Sequence, residues 1–315
     1  MKRQLVLGVL LAIGAASIGV TALQQPAGGG QAPAPKVVEV DKLKDNLYML
    51  RGTGGGGNTA VFITTDGVTV VDTKNPGWGQ PILDKIKTLT DKPIVRIINT
   101  HTHGDHVSGN VEFPATVEVV TQENTAKNMQ AMRVPTGITP AAGAPANIFK
   151  DNNGQGLPKK TFKDTMSIGK GADQVDLYYF GRGHTNGDAW VIFPALRVMH
   201  AGDIFSGKNI AILDPNNGGS GVEMPDTLLK AANETAKTVD TIITGHSTQM
   251  TNADLREYSE FNRDFLNAVR EGKKAGKTAD EIAAAWTIPA KYTGYAAPAA
   301  DRVKGNVTLV FGELK

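Results

Sequence analysis

The chain has 315 residues, 33 of them Lys or Arg against 31 Asp or Glu, and no cysteine. That length supports a sizeable core in one large domain or two small ones. The balanced charge lacks the basic footprint of a nucleic-acid binder, so no nucleic-acid partner is expected; the missing thiols exclude disulfides, thiolate zinc sites and cysteine nucleophiles, which leaves His and carboxylates to hold any metal.

Met1–Ala22 has the form of a secretory signal: Lys2 and Arg3, an apolar run over Leu5–Val20, and small residues at Val20-Thr21-Ala22. Its removal brings the basic count to 31, equal to the acidic one. The apolar run is short for a stable membrane anchor, so a secreted or periplasmic protein without one is expected, an uncleaved N-terminal anchor being the alternative. Residues 23–35, rich in Gly, Ala, Pro and Gln, read as a flexible linker. The folded domain is expected over 36–315.

Val37–Val40 and Asn46–Leu50 read as short strands. The glycine run Gly52–Asn58 is followed by a strand and lacks the Gly-Lys-Ser/Thr of a phosphate loop, so a tight, mobile hairpin turn at the rim of a site is expected. Thr59–Thr64 and Val68–Thr73 form a strand pair around Asp66-Gly67. Asp72 closes the apolar run Val68–Val71. Gly79–Thr90 carries Ile82, Leu83, Ile86 and Leu89 at helical spacing, and Pro93–Ile98 is a β-branched buried strand.

That strand runs into Asn99-Thr100-His101-Thr102-His103-Gly104-Asp105-His106, three of the chain's six histidines within six residues. In extended chain, residues two apart point the same way, so His101 and His103 can converge on one cation. After Gly104 the chain can turn, and Asp105 and His106 can reach a second. Neutral imidazole and carboxylate suit zinc, and also iron or manganese.

Thr116–Val120 reads as a strand and Gln122–Met132 as a helix. Val134–Lys160, with four prolines, is a long irregular loop, either a wall or lid of a pocket or a solvated insertion. Val175–Phe180, Ala189–Phe193, Val198–Ala201 and Thr241–Thr244 read as strands. His184, Asp203 and His246 follow three of them. His200, inside a strand, reads as a packed supporting histidine. Pro225–Lys237 and Asp254–Lys274 read as helices, Thr278–Glu281 as a capping box opening a helix to Trp286, and Asn306–Phe311 as a last strand.

The His-x-His-x-Asp-His run, with Gly-His-Thr at 183–185, Asp203 and Gly245-His246 following in order, resembles the signature of the metallo-β-lactamase-fold superfamily over essentially the whole mature chain. The resemblance implies an α/β four-layer αβ/βα sandwich with the site at one edge of two packed sheets. It implies one ligand set of His101, His103 and His184, a second of Asp105, His106 and His246, and Asp203 bridging them, with Asp72 supporting the histidine loop. Two Zn2+ per chain, or Fe or Mn, would activate a bridging hydroxide against a carbonyl carbon, with Asp105 orienting it. The bridging Asp resembles thioesterases, lactonases and nucleases of the superfamily; export and the missing basic footprint leave a small-molecule amide, lactone, ester or thioester, with β-lactams among the substrates. Lys208 is a candidate for a substrate carboxylate, or a solvated loop lysine. The alternatives are a non-haem iron oxidoreductase of the same fold, similar to persulfide dioxygenases, and a metal-binding module without catalysis.

Overall fold

The structure, a computed structural model, describes residues 36–139 and 146–315. The expected signal and linker lie outside the described residues, as do residues 140–145 of the long loop. In chain order the elements are β1 (Glu39–Lys44), β2 (Leu47–Arg51), β3 (Thr59–Ile63), β4 (Val68–Val71), α1 (Gly79–Lys87), β5 (Ile94–Ile98), α2 (Gly104–Val107), β6 (Glu118–Gln122), α3 (Glu123–Ala131), α4 (Ile148–Asp151) and β7 (Lys160–Phe162). There follow β8 (Thr165–Ile168), β9 (Val175–Tyr178), β10 (Trp190–Phe193), β11 (Val198–Gly202), α5 (Met224–Thr235), β12 (Thr241–Thr244), α6 (Asn252–Lys274), α7 (Ala279–Ala285) and α8 (Ala300–Glu313).

The strands form a seven-stranded sheet in the order β1 to β7 and a five-stranded sheet in the order β12-β11-β10-β9-β8. Their central strands are apolar at nearly every position because both faces are covered. In β3, Ala60 and Phe62 turn toward the second sheet while Val61 turns toward α1. Between the sheets, Leu47, Met49, Phe62 and Ile98 pack on Leu177, Val191, Phe193 and Ile243. Outside the first sheet, Ile82 and Ile86 of α1 cover Val70 and Ile97. Outside the second, α5, α6 and α8 cover Trp190, Met199 and Ile242. The result is the expected αβ/βα sandwich. Among the described residues no helix is long and apolar enough to cross a membrane.

Two parallel pairs decide where chemistry can gather. β4 pairs with β5, and β11 with β12, both parallel. Parallel neighbours end at the same sheet edge, so Asp72, the 99–106 segment, Asp203 and His246 all leave their strands on one side of the sandwich. Loops held by such rigid edges can fix side chains in place.

Three expectations about elements need correction. Asn306–Phe311 is not a strand but part of α8. Its β-branched content favours a strand, yet Val303, Val307 and Val310 recur at helical spacing, and the packing buries that face. The 134–160 segment is not wholly irregular: it holds α4 and ends where β7 begins. The first strand starts two residues later than expected and runs to Lys44. The capping box is present as expected, with Thr278 and Glu281 exchanging both bonds.

Candidate metal centre

The expected ligands converge. One ligand atom from each of His101, His103, His184 and Asp203 lies within 4.8 Å of all the others, and the same holds for Asp105, His106 and His246. Asp203 faces both groups. Its Oδ1 is 3.2 Å from His106 Nε2, and its Oδ2 is 3.2 Å from His246 Nε2 and 3.9 Å from His184 Nε2. His246 Nε2 is 3.2 Å from Asp105 Oδ2 and 3.3 Å from His106 Nε2.

The backs of the imidazoles are held by hydrogen bonds that set which ring nitrogen faces inward. Asp72 is fully buried at the end of β4, in a left-handed conformation with φ 61°. Its carboxylate accepts from Thr100 N at 2.9 Å, Thr100 Oγ1 at 2.7 Å and His106 Nδ1 at 2.8 Å. The Thr100 hydroxyl has one proton, and Asp72 takes it. His101 Nδ1, 3.0 Å from Thr100 Oγ1, must then be the donor there. That leaves a lone pair on His101 Nε2, which is buried and makes no hydrogen bond among the described residues.

The other two imidazoles are backed by a segment that the sequence did not single out. His103 Nε2 donates to Asp214 Oδ2 at 2.8 Å, and His184 Nδ1 donates to Ile212 O at 2.6 Å. Their inward nitrogens, His103 Nδ1 and His184 Nε2, lie 3.0 Å apart. Asp214 also accepts from Thr136 N and Oγ1, which ties the start of the long loop to the site. The only prior signal for Asp214 is its Asp-Pro turn, a pattern that names no partner.

The protonation pattern follows from burial and neighbouring charge. Burial and the adjacent imidazoles push His101 well below the ordinary histidine range. Burial and His103 bring His184 down to about 4. Both are therefore neutral donors at pH 7. His106 is the reverse: burial opposes its charge, but Asp203, Asp105 and Asp72 outweigh it and hold its pKa well above the usual range. Asp203 raises His246 to about 9 against the opposing effect of burial, with Asp105 assisting. Burial opposes ionisation of Asp105, yet His106 and His246 hold its carboxyl down to about 2. The second set thus holds protons where a cation would sit.

The donor set fits divalent metal. An orphaned, buried imidazole lone pair has no other account, and buried carboxylates crowded against imidazoles are stabilised by positive charge between them. His101, His103 and His184 would hold one ion, Asp105, His106 and His246 a second, and Asp203 stands between.

The remaining site expectations divide. His200 is fully buried; its Nε2 donates to Asn58 O at 3.2 Å and its Nδ1 accepts from Gly202 N at 3.1 Å. Both nitrogens are spent on backbone, which gives it a structural task. Lys208 Nζ lies 3.1 Å from Asp254 Oδ1 and 3.0 Å from Glu257 Oε1, so two carboxylates of α6 neutralise it. The glycine run is a turn beside the site, as expected, but it is tied down. Gly57 N donates to Asp105 O at 3.0 Å, and a Cβ at Gly57 would overlap the His106 ring. From below, Lys74 Nζ donates to Gly57 O at 2.5 Å. Lys74 went unmarked in the sequence because lysine is almost never fully buried, yet here it is.

The profile of the metallo-beta-lactamase superfamily matches residues 52–246, more than half of the chain. The metallo-beta-lactamase type 2 of Elizabethkingia meningoseptica is 30% identical over 201 residues, covering 60% of this chain and 68% of that protein. Two solved structures share the fold. The metallo-beta-lactamase from Pontibacter korlensis gives a TM-score of 0.56 at 20% identity, over 72% of this chain and 99% of that one. The stereoselective inverting sec-alkylsulfatase Pisa1 from Pseudomonas sp. gives 0.63 at 16% identity, over 88% of this chain and 50% of that one. The chain belongs to the metallo-beta-lactamase superfamily, whose members are mostly hydrolases, and it carries a potential metal site of that family's kind.

Proposed function

We propose that the chain is an exported hydrolase that binds two Zn2+ and cleaves an amide, lactone, ester or thioester of a small molecule, β-lactams included. The observation that carries this reading is the pair of ligand groups sharing Asp203, with the buried lone pair of His101 left unused. The similarity to a metallo-beta-lactamase supports the lactam among these bonds. The apolar stretch Leu5–Val20 behind Lys2 and Arg3 supports export.

Bound divalent ions would lower the pKa of water and polarise the scissile carbonyl. The chain's own residues do the rest. Asp72, Asp214 and Ile212 O fix the imidazole orientations, so no reorganisation is needed when substrate arrives. Asp105 and His246 are the open side of the cluster, with side chains 31% and 36% exposed while Asp203 is 3% exposed. Substrate therefore approaches over them. Asp105 stays ionised and can accept a hydrogen bond from the attacking water, which orients its lone pair toward the carbonyl. The glycine turn at 52–58 covers His106 with backbone at Gly57, where a Cβ would overlap the ring.

The test is metal analysis followed by hydrolysis with the zinc-loaded protein. The panel holds a chromogenic cephalosporin, an acyl lactone, an ester and a thioester, with Asp105→Asn as control. Turnover of one bond class, lost in the control, supports the proposal. Protein that retains iron, consumes oxygen and hydrolyses nothing in the panel would refute it in favour of an oxidoreductase.

A further inference from the structure

The segment 211–222 backs two of the candidate ligands, yet it has little structure of its own beyond a single 3-10 turn at Pro215–Asn217. Something must hold it. Toward the site it is tied by Asp214 N to His184 O at 3.0 Å and Ser220 N to Gly183 O at 2.8 Å. Away from the site it is gripped by α8. Asn306 is buried within that helix, and its Nδ2 donates to Ala211 O at 2.7 Å. Glu313 Oε2 accepts from Ser220 Oγ and Val222 N, both at 3.0 Å. Between these two grips Val310 lies so close to Gly221 that a Cβ there would collide with it.

We infer that α8 is a positioning element for the first ligand set: Asn306 and Glu313 clamp the two ends of 211–222 and so fix Ile212 O behind His184 and Asp214 behind His103. This rests on the two-ion reading above and adds to it an asymmetry. Helix α8 lies beyond residues 52–246, the part that matches the superfamily, so the second layer of support comes from residues outside that match. The second set does not use that layer. His106 is held by Asp72 and covered by the glycine turn, and Gly245, next to His246, accepts from Asn58 N at 2.7 Å. Loosening α8 at Asn306 therefore disturbs His103 and His184 and leaves His106 and His246 as they are.

The polar character of the clamp matters. An apolar residue at 306 would suit a buried helix face at least as well as Asn. Burying its amide is reasonable only if the bond to Ala211 O returns something, and the carbonyl it holds is one peptide away from Ile212 O.

The test uses the full chain and three variants. Asn306→Leu removes the clamp at one end and Glu313→Gln weakens it at the other, while Val303→Ala loosens α8 packing and removes no hydrogen bond to 211–222. Affinities for the two ions are read by competition of Zn2+ with a chromophoric chelator, and the two sites are told apart by Co2+ absorption. Imidazole 15N spectra of the metal-free protein report His103 and His184 separately from His106. The expected result for Asn306→Leu is a 10- to 100-fold loss of affinity at one site only, with shifted His103 and His184 resonances, and a smaller change of the same kind for Glu313→Gln. Val303→Ala is expected to lower the melting temperature and leave both affinities native. Equal weakening of both ions, no weakening, or the same asymmetric loss in Val303→Ala would overturn the inference. Failure of the two-ion reading shows itself earlier, in a native chain that does not take up two ions, and overturns the inference with it.

Discussion

Asp72→Asn is the sharpest perturbation of this site, because it changes chemistry while leaving shape. Asn has the size of Asp and tolerates the left-handed φ of 61° found at position 72. The native carboxylate accepts three hydrogen bonds in a spot closed to water, from Thr100 N, Thr100 Oγ1 and His106 Nδ1. An amide can keep the bond from Thr100 N, but its NH2 group then faces a hydroxyl and an imidazole N–H. The Thr100 hydroxyl has to turn, accept from the amide and donate its own hydrogen bond to His101 Nδ1. His101 then carries its own proton on Nε2, and the lone pair aimed into the cluster is gone. His106 loses its charged acceptor at the same time. Two hydrogen bonds to a charged group are lost, at about 1.5–3 kcal/mol each, so the metal-free fold should lose about 3–6 kcal/mol. One imidazole of each ligand set is misdirected, so both ions should bind about 10- to 100-fold more weakly. Urea unfolding of the metal-free protein measures the first effect, and chelator competition the second. Long-range 1H–15N spectra read the tautomers directly. A variant with native affinity for both ions, and with His101 and His106 still protonated on Nδ1, would refute the reasoning.

Other consequences follow from burial and charge. Lys74 is brought down to about 8 by burial, with Asp72 and Asp105 opposing. A lysine depressed from its ordinary 10.5 contributes stability that is complete above 10.5 and lost as pH falls through about 8; between those values the metal-free native chain should gain about 3 kcal/mol relative to Lys74→Met. Denaturant titrations at several pH values check this, and a constant difference would contradict it. Ion uptake must expel protons from His106 and His246 and none from the already neutral His101 and His184. Calorimetry in buffers of different ionisation enthalpy should therefore show at least one proton released at pH 7, declining as pH rises through about 9. Phe62 and Phe193 meet edge-on between the sheets with ring centroids 5.0 Å apart, both fully buried. Phe62→Ala should cost about 3–5 kcal/mol in unfolding free energy, and a cost below 1 kcal/mol would mean the inter-sheet core is not packed as described.

Local chemistry was legible where it depends on neighbours in sequence. The histidine run sits at a strand end because the β-branched run before it forms β5, whose last residues Ile97 and Ile98 are buried, and the spacing of two aligns His101 with His103. The boundaries of β12 and of α6 follow from apolar period to within about two residues. The Asn306–Phe311 expectation failed because β-branched residues favour a strand only when no helical partner face is available, and here α6 and the 211–222 segment supply one. The ion pairs of Lys208 were not legible, because Asp254 and Glu257 are more than forty residues away in the chain.

By itself, then, the amino-acid order determined which side chains are chemically able to bind metal and where strand and helix periods run, since ligand type and period are written in short windows; the grouping of those ligands into two sets and the layered αβ/βα scaffold are what the superfamily resemblance implies. The tertiary structure alone decided which nitrogen of each imidazole faces inward. That depends on Asp72 behind His106 and Thr100, on Asp214 behind His103 and on Ile212 O behind His184, groups brought from distant strands and loops. No local pattern encodes such meetings, because a hydrogen bond across the sandwich depends on how two sheets and a C-terminal helix pack. The buried Lys74 under the glycine turn and the clamp of α8 on residues 211–222 belong to the same class.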